Sequence, residues 1–402
     1  MGNYRRINVN SGRPLEHLAH YSRALRVGDW VLQSGTTAID TEGNVIGEGN
    51  VGAQVDAIVR IAEESMGRAG GSLDDVVRTR IYLTDLALAA ECGEALGRHF
   101  RDIRPASTLV GVSSLARPTQ LVEIELDAID GASARMQRIS SGRPAEERYG
   151  YSRAVRVDDH VFLSGTTAMG RDGSVAHPGD MHAQTRATYD ALFEAADAAG
   201  AAPEDLVYTK TFLTDLSAAP AQTNAKLDAL GDTRPVGTLL GIPGLLLPEM
   251  LVEVEAEAII GASRIREDHY TAAQREHGLG FARAVAVGDA IYVSGCTSLD
   301  AEGSLRAPGD WAAQYDLCHR EIEQALATFG ASLDDVVRRR MFTVDGAEQN
   351  RPHGEGPAWF AQSRSVSLGC RISGLAHPGM LVEVDAYAVK GASEGIEWLD
   401  LI

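Results

Sequence analysis

The chain has 402 residues, enough for two to three domains and for a core that needs no disulfide or metal staple. Hydrophobic residues make up 44% and charged residues 23%, an ordinary globular balance. Acidic side chains outnumber basic ones 56 to 37, and a net charge of −19 repels phosphate backbones and anionic lipid, so neither nucleic acid nor a membrane is expected as a partner.

The first elements are two short strands, Arg23–Val27 and Trp30–Ser34, around a Gly28-Asp29 turn suited to a hairpin. Val55, Ile58, Val59, Ala62 and Met66 then fall on one helical face, and Gly70-Gly71 ends that helix. Val76–Leu83 reads as a β-branched strand and Ala87–Phe100 as a second helix. Strands near Thr108–Val112 and Leu121–Ile129 close the series. The whole series recurs at an offset of 130. YSRALRVGDWVLQSGTT at 21–37 matches YSRAVRVDDHVFLSGTT at 151–167 and FARAVAVGDAIYVSGCT at 281–297. LDDVVRTRIYLTD at 73–85 and RPTQLVEIELDAIDGAS at 117–133 recur in the same register. The chain is therefore three copies of one α/β unit, assigned to residues 1–130, 131–260 and a divergent 261–402.

The last strand of each unit carries the chemistry. Val122, Ile124, Leu126 and Ala128 alternate with Glu123, Glu125 and Asp127, so one face is apolar and the other acidic. The second copy has Glu253, Glu255 and Glu257, and the third has Glu383, Asp385 and Tyr387. The apolar face must rest on the helices. The acidic face needs water, a cleft or counter-charges, and Arg80, Lys210 and Arg340 on the preceding strand are expected to pair with Glu125, Glu255 and Asp385. Three like units with open sheet edges close most simply as a pseudo-threefold ring with three clefts between neighbours.

Four cysteines, Cys92, Cys296, Cys318 and Cys370, show neither CxxC nor zinc-finger spacing and read as free thiols of a reducing compartment. The opening MGNYRRINVNSGRP lacks an apolar signal core, and the most apolar stretch, Leu239 to Val252, is broken by Pro243, Pro248 and Glu249. A cytoplasmic location is expected. No phosphate loop, dinucleotide fingerprint or metal-ligand spacing is present, so no cofactor and no metal are expected.

YSRAxxVGD, VxxSG, the helix beginning near Ala53-Gln54, LDDVV, TDL and LVEIE together give each unit a sequence that resembles the reactive intermediate deaminase family (RidA, also called YjgF-like). The resemblance covers nearly the whole chain. It implies a homotrimer-like, chorismate-mutase-like α/β (α+β) fold with a central β-barrel, helices outside and active sites in the clefts, here joined into one chain that acts as a monomeric fused trimer. It also implies hydrolysis of enamines and imines released by pyridoxal-phosphate enzymes. The family's tyrosine matches Tyr21 and Tyr151, with Phe281 in the third copy. Its Ser-Gly matches Ser34-Gly35, Ser164-Gly165 and Ser294-Gly295, and its glutamate matches Glu123, Glu253 and Glu383. The arginine that grips a substrate carboxylate is replaced by Ser107, Gly237 and Ser367.

Arg23, Arg153 and Arg283 share a strand face with the tyrosine position. They either take over the carboxylate through their forked donors or form structural ion pairs. Gly35, Gly165 and Gly295 are expected to be turn glycines with positive φ. Glu123, Glu253 and Glu383 are the catalytic candidates, because a carboxyl in a cleft can aim water and shuttle protons; the same residues suit a ring of ion pairs. In the third copy, GAEQNRPHGEGPAWFAQSRSVSLGCR at 346–371 loses the helix pattern at Gly354, Gly356 and Pro357. That unit has either decayed into scaffold or specialised one cleft, with Cys296, His353 and Cys370 as its polar cluster. The expected function is a small-molecule enzyme that hydrolyses or rearranges an imine, enamine or related C=N or enol compound. The alternatives are a biosynthetic cyclodehydratase or chorismatase-like hydrolase on the same fold, and a non-catalytic ligand-binding or scaffold protein.

Overall fold

In a computed structural model, which describes residues 4–346 and 359–401, the apolar stripe Val55, Ile58, Val59, Ala62 and Met66 is buried along a helix spanning Val51–Arg68. Asn50 caps it by accepting from the Ala53 N–H at 2.8 Å, as Asp180 and Asp310 do for Met181–Ala198 and Trp311–Thr328. The stripe packs on Val122, Ile124, Leu126 and Ala128, the apolar face of the last strand. Each such aliphatic side chain contributes about 1.5–3 kcal/mol on burial. The shorter second helices are Ala89–Phe100 and Ala219–Leu230. The helix-breaking residues Gly354, Gly356 and Pro357, with His353, lie outside the described residues. No helix among the described residues is long and apolar enough to cross a membrane.

The first sheet runs in the order Ile396–Asp400, Arg6–Asn10, Ala24–Val27, Trp30–Thr36, Val122–Ile129, Val76–Leu83, Ala106–Gly111. The second and third sheets repeat the six strands of this order from Arg6–Asn10 to Ala106–Gly111. Two edge features exceed the sequence expectation. A leading strand precedes each hairpin (Arg6–Asn10, Gln137–Ile139 and Glu267–His269), and Ile396–Asp400 pairs in parallel with Arg6–Asn10. Their alternation is too short to register as strands in the sequence.

The expected central β-barrel takes a different form: three open sheets of seven, seven and six strands that meet edge to edge. At each meeting a serine side chain stands in for a ladder bond. The Ser107 N–H donates to Ser164 Oγ at 2.8 Å, the Gly237 N–H to Ser294 Oγ at 2.8 Å, and the Ser367 N–H to Ser34 Oγ at 2.9 Å. One backbone bond accompanies each: Ser152 N–H to Pro105 O, Ala282 N–H to Pro235 O, and Ser22 N–H to Ser365 O. A hydroxyl holds the strands farther apart than a peptide would, so the ladder stops and a seam opens. The units close in a ring, first to second, second to third and third to first.

Buried charges fill the centre. Arg80, Lys210 and Arg340 stand opposite Glu125, Glu255 and Asp385 within their own sheets, as expected. Each also reaches one unit onward more closely than to its opposed partner: Arg80 to Glu255 at 2.9 Å, Lys210 to Asp385 at 2.8 Å and Arg340 to Glu125 at 2.9 Å, while Arg80 keeps Asp127 of its own unit at 2.9 Å. Arg78 joins Glu257 and Arg338 joins Asp127 across the same seams. Sheet twist turns each long cation away from its directly opposed neighbour toward the next unit. Breaking one such buried pair costs about 3–5 kcal/mol, so the network fixes the rotational register of the ring.

Candidate functional site

Glu123, Glu253 and Glu383 sit one pleat outward from the central charges, each beside the glycine of its own Ser-Gly pair. These glycines do not have positive φ, contrary to expectation. They are needed because the glutamate carboxylate lies where a β-carbon would be. A Cβ on Gly35 would overlap Glu123 Oε1, and the same holds for Gly165 with Glu253 and Gly295 with Glu383. A bulge makes the room: pairing between Trp30–Thr36 and Val122–Ile129 shifts register between Gln33 and Thr36, with equivalent shifts in the other two units. Gln54 anchors the approach, accepting from the Leu121 N–H at 2.8 Å and donating to Thr119 O at 2.9 Å; Leu121 lies two residues before the glutamate.

Burial pushes the Glu123 carboxyl up to about 8, against the pull of Arg23 and with help from Glu125. Glu253 and Glu383 are likewise pushed up to about 8 by burial. Glu125, two residues on, goes the other way: burial acts on it too, but Arg340, Arg80 and Arg338 hold it down near 2. Two carboxyls on one strand face are thus set apart by their surroundings, the outer carrying a proton at neutral pH and the inner ionised.

A cavity of about 460 Å³ opens at the seam between the third and first units. The first unit supplies Tyr21, Arg23, Gly35 and Glu123; the third supplies Ser367, Leu368, Gly369, Cys370 and Arg371 from the neighbouring strand. Arg23 donates to Glu16 at 3.0 Å, to Gly35 O at 3.2 Å and to the Tyr21 hydroxyl at 2.8 Å, so its fork is largely engaged. Arg283 repeats the pattern with Glu276 and Gly295 O, and Arg153 bonds Gly165 O and Thr166. The glutamates at 16, 146 and 276 keep the 130-residue spacing, so the signal for this second triplet is the same repeat that marks the first.

The hydroxyls of Ser34, Ser164 and Ser294 are fully buried and donate to Ser22 O, Ser152 O and Ala282 O while accepting the seam N–H groups. They tie the seam strands together. At the seam between the first and second units, the Thr108 hydroxyl also accepts the Gly165 N–H at 3.1 Å. Leu368 occupies the matching position beside Gly35 and has no hydroxyl, so the Gly35 N–H is not taken across its seam in that way. At the seam between the second and third units, Phe281 packs against Gly237, and its ring lies 5.4 Å from the Arg283 guanidinium carbon. Tyr151 and Arg153 face Glu253 at the seam between the first and second units.

Cys296 and Cys370 do not form one cluster. Cys296 is buried in the third unit's helix-side core, and its thiol, pushed well up by burial, donates to Ser294 O. Cys370 lies in the wall of the Glu123 cavity, and its thiol is also pushed well up by burial. They lie apart because Cys296 sits on an inner strand of the third sheet and faces that unit's helices, whereas Cys370 sits on the strand at the sheet's edge. His353 lies outside the described residues. No group of three or more His, Cys, Asp or Glu side chains among the described residues is placed to hold a metal. The cavity wall also contains Arg339, His319 and Tyr315, none of which the sequence motifs singled out. Their signal is departure from the repeat: Arg339 replaces Thr79 and Thr209, and His319 replaces Val59 and Tyr189.

A family model described as Endoribonuclease L-PSP matches residues 12–130, 143–260 and 275–390. An uncharacterized protein of Streptomyces coelicolor is 35% identical over 130 residues, 32% of this chain and 96% of that protein. A RutC family protein of Pyrococcus abyssi is 34% identical over 109 residues, 27% of this chain and 84% of the relative. A solved structure from Mycobacterium tuberculosis, a member of the YjgF/YER057c/UK114 family, shares 42% identity over 31% of this chain and 98% of its own, with a TM-score of 0.28. A chorismatase structure covers 79% of this chain and 93% of its own at 15% identity and a TM-score of 0.50, a likeness of fold.

Proposed function

The chain belongs to the Endoribonuclease L-PSP family in each of its three units, and on that premise we propose that it is a small-molecule enzyme of the RidA type, hydrolysing an imine or enamine in the cleft between its third and first units. The observation that carries this reading is the Glu123 carboxyl: buried, pushed up to about 8, and lining a cavity of about 460 Å³. A carboxyl that holds its proton at neutral pH can give it to an imine nitrogen, which makes the attached carbon electrophilic. The carboxylate left behind can take a proton from the water that attacks that carbon. Collapse of the carbinolamine then breaks the carbon–nitrogen bond and expels ammonia. One imine and one water thus become one carbonyl compound and one ammonia, and Glu123 ends with its proton restored. An enamine enters the same sequence by accepting the Glu123 proton at carbon.

The other side chains support these steps without sharing the proton. Arg23 fixes the Tyr21 hydroxyl and the Gly35 carbonyl, and its charge limits how far the Glu123 carboxyl rises. The Cys370 thiol stays protonated and serves as a small apolar wall.

The test is ammonia release from a panel of imines made in place by an amino-acid oxidase. The proposal expects the protein to speed release over buffer for at least one imine, and Glu123→Gln to remove about 10²–10⁴ of that rate. A wild-type rate equal to the buffer rate on every imine would overturn it.

A further inference from the structure

The mouth of the Glu123 cavity runs against the charge of the chain. The protein carries a net charge of −19, yet Arg13, Arg23, Arg117, Arg339 and Arg371 all line this cavity, against Glu42 and a Glu123 carboxyl that keeps its proton at neutral pH. Three of these arginines are engaged: Arg23 donates to Glu16, Arg339 to Ala19 O and Arg371 to Leu115 O. Arg13 and Arg117 keep donors to spare. Arg13 is half-buried and its Nε donates to Ile39 O at 3.0 Å, but its two Nη atoms remain open and meet no acceptor among the described residues. The Arg117 side chain is exposed and makes neither a hydrogen bond nor an ion pair among the described residues.

Both arginines sit against one short hairpin. Ile39 pairs with Val45, Arg13 holds the Ile39 carbonyl, and Arg117 Nη2 lies 3.2 Å from where a Cβ on Gly43 would stand. The carboxylates of that hairpin are taken up within it: Asp40 accepts from the Glu42 and Asn44 N–H groups, and Glu42 accepts from Asn44 Nδ2. Glu16 is committed to Ser11 and Arg23. Burial, and then the Arg23 charge, hold Arg13 below its ordinary value against the pull of Glu16, as befits a cation without a close acid. The pairing is peculiar to this seam. Arg13 recurs as Arg143 but gives way to Ala273, and Arg117 is replaced by Leu247 and His377.

We infer that Arg13 and Arg117 form an anion subsite at the mouth of the Glu123 cavity, so that the cleft selects a small imine or enamine carrying a carboxylate or phosphoryl group remote from its C=N carbon. This inference rests on the reaction proposed above and names the substrate class of that site. In a chain with 56 acidic and 37 basic residues, two neighbouring arginines left without an acid are supplied with one by the ligand. Their forked donors match the oxygens of either anion. The anion is remote because Gly35 touches the reacting carboxyl, whereas the arginines act at Ile39 and Gly43, four and eight residues farther along the chain. An uncharged substrate of equal length gains nothing from these donors, and the difference is the selectivity.

The probes are 2-oxo acids of the kind such a hydrolysis releases: 2-oxoglutarate, with a remote carboxylate; its phosphonate analogue; and 2-oxohexanoate, with no remote charge. Binding to the full chain is read by titration calorimetry in the wild type and in the double variant Arg13→Ala, Arg117→Leu, which carries the third unit's residue at the first place and the second unit's at the other. At least one anionic probe is expected to bind about 10-fold more tightly than 2-oxohexanoate, and the tighter of the two identifies the remote group. The preference is expected to vanish in the double variant while 2-oxohexanoate binds within about twofold of its wild-type affinity. Three results would each overturn the inference: the same result for all three probes, whether equal binding or none; a preference that survives the double variant; or a variant that weakens all three alike, as arginines that merely shape the cavity would give. None of these readouts depends on turnover. A protein that hydrolyses imines but shows one of them loses this inference alone, whereas a protein with no hydrolysis loses the proposed reaction.

Discussion

The Ser367 N–H donates to Ser34 Oγ at 2.9 Å across 333 residues of sequence, the same bond that Ser107 makes to Ser164 and Gly237 to Ser294 across 57. The third unit is joined to the first in the same way as the first is to the second and the second to the third. Removing the acceptor should therefore cost the same at every seam. Ser34→Ala, Ser164→Ala and Ser294→Ala are each expected to lower the unfolding free energy by about 1–3 kcal/mol, because each leaves a seam N–H unmet. Urea unfolding checks this; a cost at Ser164 with none at Ser34 would mean the third seam is not closed as described.

Gly35 and Glu123 form a matched pair. A methyl group at 35 overlaps the Glu123 carboxylate, so Gly35→Ala is expected to destabilise by about 1–3 kcal/mol and to abolish turnover. Pairing it with Glu123→Ala removes the clash with the carboxylate and leaves only that with the flexible end of Leu368, so the double variant should be more stable than Gly35→Ala alone. Thermal melts of the four proteins give the coupling directly. An additive cycle would show that the glycine is there for another reason.

Glu125 is the hub of the central charges, meeting Arg340 at 2.9 Å and Arg338 at 3.2 Å. Glu125→Gln leaves those guanidinium groups buried without their counter-charge. The expected loss is about 3–5 kcal/mol, measured by chemical unfolding. A loss below about 1 kcal/mol would show that the neighbouring carboxylates absorb the change.

Stability should also depend on pH in a set direction. The carboxyls of Glu123, Glu253 and Glu383 hold protons up to about 8 in the folded chain and release them near the ordinary carboxylate value when unfolded. Between those values the folded state binds more protons, so stability falls as pH rises from about 4.5 to about 8 and levels off above. Glu125 contributes oppositely: its stabilisation is present above the ordinary carboxylate range and is lost as pH falls toward 2. Unfolding midpoints across this range should slope downward, and Glu123→Gln should reduce the slope. The rate should drop above pH 8 as the acid form disappears.

Much of this was legible in the sequence, because one strand pattern recurs three times. The period-2 run from Val122 to Ala128 marks both the packed face and the acidic face, and the offset of 130 marks the ring. Sequence could not tell why Gly35 is glycine, since a close carboxylate and a positive φ ask for the same residue. Nor could it tell that Arg80 would reach Glu255 ahead of the opposed Glu125, because the choice is made by twist across a seam between units. His319 and Arg339 escape for a related reason: a repeat pattern advertises what its copies share, and these residues carry their meaning in how one copy departs.

The most direct test compares three single variants, Glu123→Gln, Glu253→Gln and Glu383→Gln, on the imine that the wild-type protein hydrolyses fastest. The account predicts that Glu123→Gln alone loses about 10²–10⁴ of the rate while the other two stay within about threefold of wild type. Full activity in Glu123→Gln, or an equal collapse in either of the others, would contradict it.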